Sequence, residues 1–170
     1  KVQYQFLSKI EKINMKGRVI LFAGDTSNIS HTNLLKSKIK NKNLIDKCKI
    51  VGPLNDHDLK IAYSLSDLVL SLPTRPEGFG RTISETISMK KIILAKNIGG
   101  VFDQLKGLDK IYKIEERDMD QLSEKIEQIM QLQDNFKENL VNKGRDHIRN
   151  HFSLQNMVSN YFNFYEKISI

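Results

Sequence analysis

The chain has 170 residues, of which 39% are apolar and 28% charged, with a net charge of +7. This length and balance fit one domain with a substantial core and exclude a disordered chain. No apolar run approaches the roughly 20 residues needed to cross a bilayer. The lysines are scattered, with no block of five basic residues and no aromatic-rich basic segment, so nucleic acid is not an expected partner. A solvated lysine-rich surface accounts for most of the charge. The single cysteine, Cys48, rules out an internal disulfide and suits a reducing, cytoplasmic setting. The chain opens on Lys1 rather than Met and shows no secretory leader pattern, so the expectation is a piece of a longer cytoplasmic protein.

Val2, Phe6, Ile10 and Ile13 recur at helical spacing and predict a helix over 2–14, ended by Gly17. The continuous apolar run Val19–Ala23, stopped by Gly24-Asp25, predicts a strand buried on both faces. Leu34, Leu35 and Ile39 mark a lysine-rich helix. Lys49-Ile50-Val51 predicts a second strand, with Cys48 buried beside it, stopped by Gly52-Pro53. Asn55 reads as an N-cap, with Asp56 and Asp58 in the first turn, of a helix carrying Leu59, Ala62 and Leu65. Asp67–Leu72 predicts a third strand, Arg81–Met89 a helix, and Ile92–Ala95 a fourth strand. Beyond Gly100 a short edge strand is expected within 110–114. Helices follow around Leu122–Met130 and Phe136–Ile148. A last helix, capped by Ser153, has an apolar stripe from Leu154 to Tyr165 too wide to leave in water.

Alternating strands and helices over the first hundred residues predict an α/β fold, with a Rossmann-like parallel sheet flanked by helices. Ligands in such folds sit beyond the carboxyl ends of the strands. The loops 24–31, 52–55 and 73–80 and the Gly99-Gly100 turn would share that edge. The third of these loops carries the chemistry. Glu77 and Glu85 flank Gly78-Phe79-Gly80, with seven residues between the two carboxylates. The glycines allow positive φ and close backbone approach. The helix that begins at Arg81 presents free amides and its positive end, which favour a phosphate. Glu77 stays at the mouth, while Glu85 lies about a turn into the helix, where a charged acceptor can grip a diol. Either glutamate taken alone reads better as an ordinary solvated side chain, and only the two together with the flanking pattern reverse that balance.

The run Pro-Glu-Gly-Phe-Gly-Arg-Thr-Ile-Ser-Glu, 76–85, resembles the signature of retaining glycosyltransferases of the GT-B fold, family four (group 1), in their carboxy-terminal nucleotide-sugar domain. Val51-Gly52-Pro53 with an acidic helix start, Ser66–Leu70, Gly99-Gly100 with Asp103, and Phe152-Ser153 extend the likeness over nearly the whole chain. Three positions depart from it. Val2 stands for Gly, Met89–Ile92 for a Gly-x-Pro turn, and Asp103 for Glu.

The resemblance implies one half of a GT-B fold, spanning 1–170. An amino-terminal acceptor domain would be absent, and the helix at about 153–168 would pack against it. Glu77 would contact donor-sugar hydroxyls near the reacting carbon, as the catalytic residue. The amides around Gly78, Phe79 and Gly80 would position the hexose, and those of Arg81 and Thr82, with Lys1, would hold the diphosphate. Glu85 would hold the ribose, and Val51, Gly52 and Pro53 would face the base. The donor would be a UDP- or GDP-sugar, with no metal and no other cofactor. The acceptor would be lipid-linked or a glycan at the inner membrane surface, as in lipopolysaccharide assembly.

Four other readings stand beside this one. A glycosidase also uses two carboxylates, but one of these lies down a helix beside a glycine-built phosphate pocket. His147 and His151 have helical zinc spacing without an evident third ligand and read as surface histidines, as do the loop residues His31 and His57. A nucleotide-sugar epimerase, or a binding module without transfer activity, would use the same donor pocket.

Overall fold

The computed structural model describes residues 2–10 and 13–168. Lys1, Glu11, Lys12, Ser169 and Ile170 lie outside the described residues. Helix α1 (Val2–Lys9) is shorter than its periodicity suggests. It tightens at Ile10, and the amide of Ile13 bonds back to Ile10 O at 2.9 Å. Strand β1 (Ile20–Ala23), helix α2 (Ile29–Asn41), strand β2 (Cys48–Gly52) and helix α3 (Asp56–Leu65) follow. Next come strand β3 (Val69–Ser71), helix α4 (Arg81–Ser88), strand β4 (Ile93–Lys96) and helix α5 (Gly100–Leu105). Strand β5 (Lys113–Ile114) precedes three consecutive helices, α6 (Leu122–Met130), α7 (Asp134–His151) and α8 (Leu154–Ile168).

The Asn55 cap is present: its side chain accepts from the Asp58 amide at 2.9 Å. Asn28 caps α2 in the same way, accepting from the amide of His31 at 2.9 Å, which starts that helix at Ile29, five residues before Leu34. Ser153 Oγ accepts from the amide of Asn156 at 3.3 Å at the head of α8.

The strands are parallel, but they form two sheets: β1 with β2, and β3–β4–β5 in that order. A single sheet was expected. Strand pairing depends on backbone hydrogen bonds, and periodicity does not encode which strands become neighbours. Both sheets feed one core, in which Phe22 of β1 is continuous with Leu72, Ile83 and Ile93–Ala95. Helix α1 bridges them. Phe6 packs edge-on against Phe22 with ring centroids 6.4 Å apart. Across the other side, Lys9 O accepts from Ser123 Oγ of α6 at 2.7 Å. Arg18 and the Asn14 amide both reach Glu127 of α6, at 2.6 and 2.8 Å.

The central strand β4 is buried along its full length, as a parallel strand covered on both faces should be. β1 departs from the same expectation. Phe22 is buried, while Leu21 is 46% exposed and Ala23 is exposed, so this strand is covered on one face only. On α3 the buried residue is Tyr63, and the apolar Leu65 faces out. Gly144 sits inside α7 because Tyr112 Oη and Ile87 would lie 3.0 and 3.1 Å from a Cβ placed there. This close approach brings α7 onto α4. Helix α8 buries none of its side chains.

Candidate functional site

The glycine loop is held from behind by the turn after β4. The Gly100 amide donates to Glu77 O at 2.9 Å. A Cβ on Gly99 would stand 2.7 Å from Glu77 O, and one on Gly100 would stand 2.0 Å from Gly78 O. Only glycine fits at these two positions, and Gly99 also adopts a left-handed φ of +60°. The expected meeting of two edge loops is therefore a backbone-to-backbone staple. Asp103 follows in the first turn of α5 and is exposed.

Gly80 caps α4 in the left-handed conformation, φ +74° and ψ +65°, and no side chain caps the first turn. The loop thus reverses directly into a helix whose first amides, at Arg81 and Thr82, carry no side-chain acceptor. Gly78 behaves differently from the expectation of positive φ. It does not adopt the left-handed region, and a Cβ there would meet no atom within 4 Å. Its contribution is open space beside the staple. Glu77 is exposed, and its Oε2 would lie 3.4 Å from a Cβ at Gly80, so its carboxylate lies against the head of α4.

Sequence reasoning missed the residues that support this loop. Gln104 of α5 is fully buried, and its Nε2 donates to Phe79 O and, at 3.3 Å, to Gly80 O. His147 of α7 bonds Gln104 O through Nε2 at 3.0 Å. Burial pulls the His147 imidazole below its usual pKa; the bond to Gln104 partly offsets this, and His151 reinforces it. Phe79 is half-exposed, and its ring centroid lies 6.0 Å from that of Phe152 at the end of α7. A polar residue at a core-facing position of a short helix was the only signal for Gln104, and nothing in the periodicity connected it with the loop.

Glu85 lies one turn into α4, as expected, and is held on both oxygens. Tyr63 Oη donates to Oε2 at 3.1 Å, and Arg81 Nη2 lies 2.9 Å from Oε1. Burial first, and the neighbouring carboxylate second, push the Tyr63 phenol up to about 12. Tyr63 therefore remains a donor throughout the physiological range. Glu85 also borders a cleft of about 450 Å³ with Ser84, Ser88, Arg145, Ile148, Arg149, Phe152 and Ser153.

The segment expected to face the base, Val51–Pro53, stands in a different place. Val51 and Gly52 line a separate cleft of about 440 Å³ with residues of α2, including Thr32, Asn33 and Lys36. Gly52 O accepts from the Gly24 amide at 2.9 Å, tying the first two edge loops together. Pro53 is exposed at the start of the loop into α3. The structure thus joins Glu77, Gly78, Phe79, Gly80, Arg81, Thr82 and Glu85 in one neighbourhood. Val51–Pro53 connects to it through α3 and Tyr63, and not through a common cavity. Among the described residues no three His, Cys, Asp or Glu side chains converge as a metal site. The His147 and His151 rings lie tilted by 53° with centroids 4.8 Å apart.

Residues 3–147 match a family model described as glycosyl transferases group 1. A comparison with curated proteins gave no match. Among solved structures, a glycosyltransferase from Rickettsia africae ESF-5 is 31% identical with a TM-score of 0.82. The match covers 97% of this chain and 44% of that one, so the chain spans less than half of that protein. Anabaena Alr3699/HepE, in complex with UDP and glucose, is 19% identical with a TM-score of 0.77, over 96% of this chain and 43% of that one. The C-terminal domain of a glycosyl transferase group 1 family protein (LpcC) from Francisella tularensis is 16% identical with a TM-score of 0.65. It aligns over 89% of this chain and 92% of its own length. The last two likenesses bear on the fold alone.

Proposed function

Because this chain belongs to the group 1 glycosyl transferase family, we propose that it forms the donor half of an enzyme that transfers a hexose from a UDP- or GDP-sugar with retention at the anomeric carbon. The observation that carries this reading is the staple. Gly99-Gly100 fixes the Glu77–Gly80 backbone, and Gly80 turns the uncapped end of α4 toward the same point. A carboxylate on a fixed backbone and a set of free amides then share one edge of the sheet.

In this reading Glu77 accepts from hydroxyls of the sugar beside the reacting carbon, and the amides of 78–80 seat the hexose. The Arg81 and Thr82 amides take the diphosphate, with Lys1 as its cationic partner. Glu85 grips the ribose, and Val51–Pro53 faces the base. The transition state resembles an oxocarbenium ion separating from a diphosphate. Preorganised amides at the positive end of α4 stabilise the leaving charge without reorganising. Such a site needs no metal.

The acceptor half lies in a further domain. Helix α8 exposes Leu154, Met157, Tyr161, Phe162 and Tyr165. This is a surface on which further chain can build. Among the described residues no helix is long and apolar enough to cross a membrane. A lipid-linked or glycan acceptor at the inner membrane face, as in lipopolysaccharide synthesis, suits the basic surface. Location in the cytoplasm, peripheral to that face, follows from this reading.

The test is transfer by the full-length protein from UDP- and GDP-hexoses, with the product anomer read by proton coupling constants. A product with the donor's anomeric configuration supports the reading, and an inverted product contradicts it. This chain alone should bind nucleotide without transferring sugar. Formation of an isomerised free nucleotide sugar would favour an epimerase.

A further inference from the structure

Both oxygens of Glu85 are engaged, by partners that differ in kind. Tyr63 is 8% exposed, rooted in α3, and donates a neutral phenol to Oε2. Arg81 belongs to the first turn of α4, and its side chain is 82% exposed. An exposed ion pair one helical turn apart is weak. The positive end of α4 disfavours a cation at this position, which weakens the pair further. A guanidinium at 2.9 Å also occupies the approach to Oε1 and draws on the charge that a sugar hydroxyl would use.

The Arg81 side chain grows from the same turn whose amides lack a side-chain acceptor. A diphosphate bound at those amides would lie within reach of the guanidinium. It offers several negative charges and a bidentate geometry that suits arginine better than one exposed carboxylate oxygen does.

We propose that Arg81 is a displaceable latch: its guanidinium covers Glu85 Oε1 until a donor diphosphate takes it, which frees that oxygen for the ribose while Tyr63 keeps the carboxylate in place. This rests on Glu85 being the ribose acceptor. Tyr63 is a positioning residue, acting through Glu85, whereas Arg81 exchanges Glu85 for the diphosphate. The latch couples the two ends of the donor: a nucleoside without phosphates must compete with Arg81, whereas a nucleoside diphosphate removes the competitor itself.

The test uses the full-length protein with uridine and UDP, and with guanosine and GDP in parallel. Nucleoside affinity is read by ligand-observed NMR and diphosphate affinity by calorimetry. Arg81→Gln should bind the nucleoside about two- to fivefold more tightly, the gain expected from removing an exposed competing pair. The same variant should bind the diphosphate about tenfold more weakly. Arg81→Lys should recover part of the diphosphate affinity. Tyr63→Phe should weaken both ligands by the same factor, because it acts on Glu85 alone. Nucleoside affinity unchanged or lowered in Arg81→Gln overturns the latch, and so does an unchanged diphosphate affinity. Failure of the wild-type protein to bind either diphosphate would overturn the donor reading first, a result distinct from normal binding that is indifferent to Arg81.

Discussion

Substituting alanine at Gly100 and at Gly78 separates the scaffold of the loop from its open face. At Gly100 the new Cβ would stand 2.0 Å from Gly78 O, 2.7 Å from Gly78 C and 2.9 Å from Phe79 Cα. All three atoms are backbone, so no side chain can rotate away and the staple itself must open. Overpacking of this sort costs about 1–3 kcal/mol. In a chain of this size that corresponds to a fall in Tm of about 3–10 °C. At Gly78 a Cβ meets nothing within 4 Å and φ lies outside the left-handed region, so Gly78→Ala should leave Tm within about 2 °C. Its methyl group would occupy the space proposed for the hexose. It should therefore weaken donor-sugar binding while leaving the nucleoside diphosphate unaffected. Thermal melting, together with titration of the nucleotide sugar and the free diphosphate, reads both halves. An unchanged Tm in Gly100→Ala, or a large loss of stability in Gly78→Ala, would refute the staple as the element that shapes the site.

Further outcomes follow from the same geometry. Glu77→Gln should lower kcat by about 10- to 100-fold, as expected for one charged hydrogen bond lost near the reacting carbon, with diphosphate affinity retained. Gln104→Leu should destabilise the fold by about 1–3 kcal/mol, measured by urea unfolding, because the carbonyls of Phe79 and Gly80 lose their buried donor. His147 has a depressed folded pKa, so the unfolded chain binds more protons below about pH 6.5. Its contribution to stability is then complete above that pH and is lost as pH falls through the folded pKa. Melting between pH 7.5 and 5 should show a smaller fall for His147→Asn than for the wild type. Replacing Tyr161 and Phe162 by Ser should improve the solubility of this chain alone and impair transfer by the full-length protein, because both residues lie on the uncovered face of α8.

The elements around the site were legible because their local chemistry is strong. Asn55, with the acidic residues after it, announced α3, and the Ile92–Ala95 run announced β4 as a strand, whereas burial on both faces, expected of Val19–Ala23, is found at β4 instead. Pro76–Glu85 identified the loop, and the structure places its two glutamates on either side of an αL glycine at a helix head. What the sequence concealed was non-local. The pairing of strands into two sheets depends on backbone hydrogen bonds between segments tens of residues apart. The exposure of Leu21 depends on which layer covers β1, and an apolar run is silent about that. Gln104, Tyr63 and Phe152 come from three other helices, and each looked ordinary within its own periodicity. Their roles exist only where α3, α5 and α7 converge on the glycine loop. Gly99-Gly100 was readable as a turn, but the collision that excludes a Cβ there was not.

The most direct measurement of the donor site is calorimetric titration of UDP and GDP into the full-length protein and its Glu85→Gln variant. Binding of at least one of them by the wild type is expected, with about tenfold or greater loss in Glu85→Gln, since a charged acceptor of ribose hydroxyls is removed. Absence of binding by both nucleotides, or binding of equal strength in the variant, would contradict the placement of a nucleotide sugar between Glu77 and Glu85.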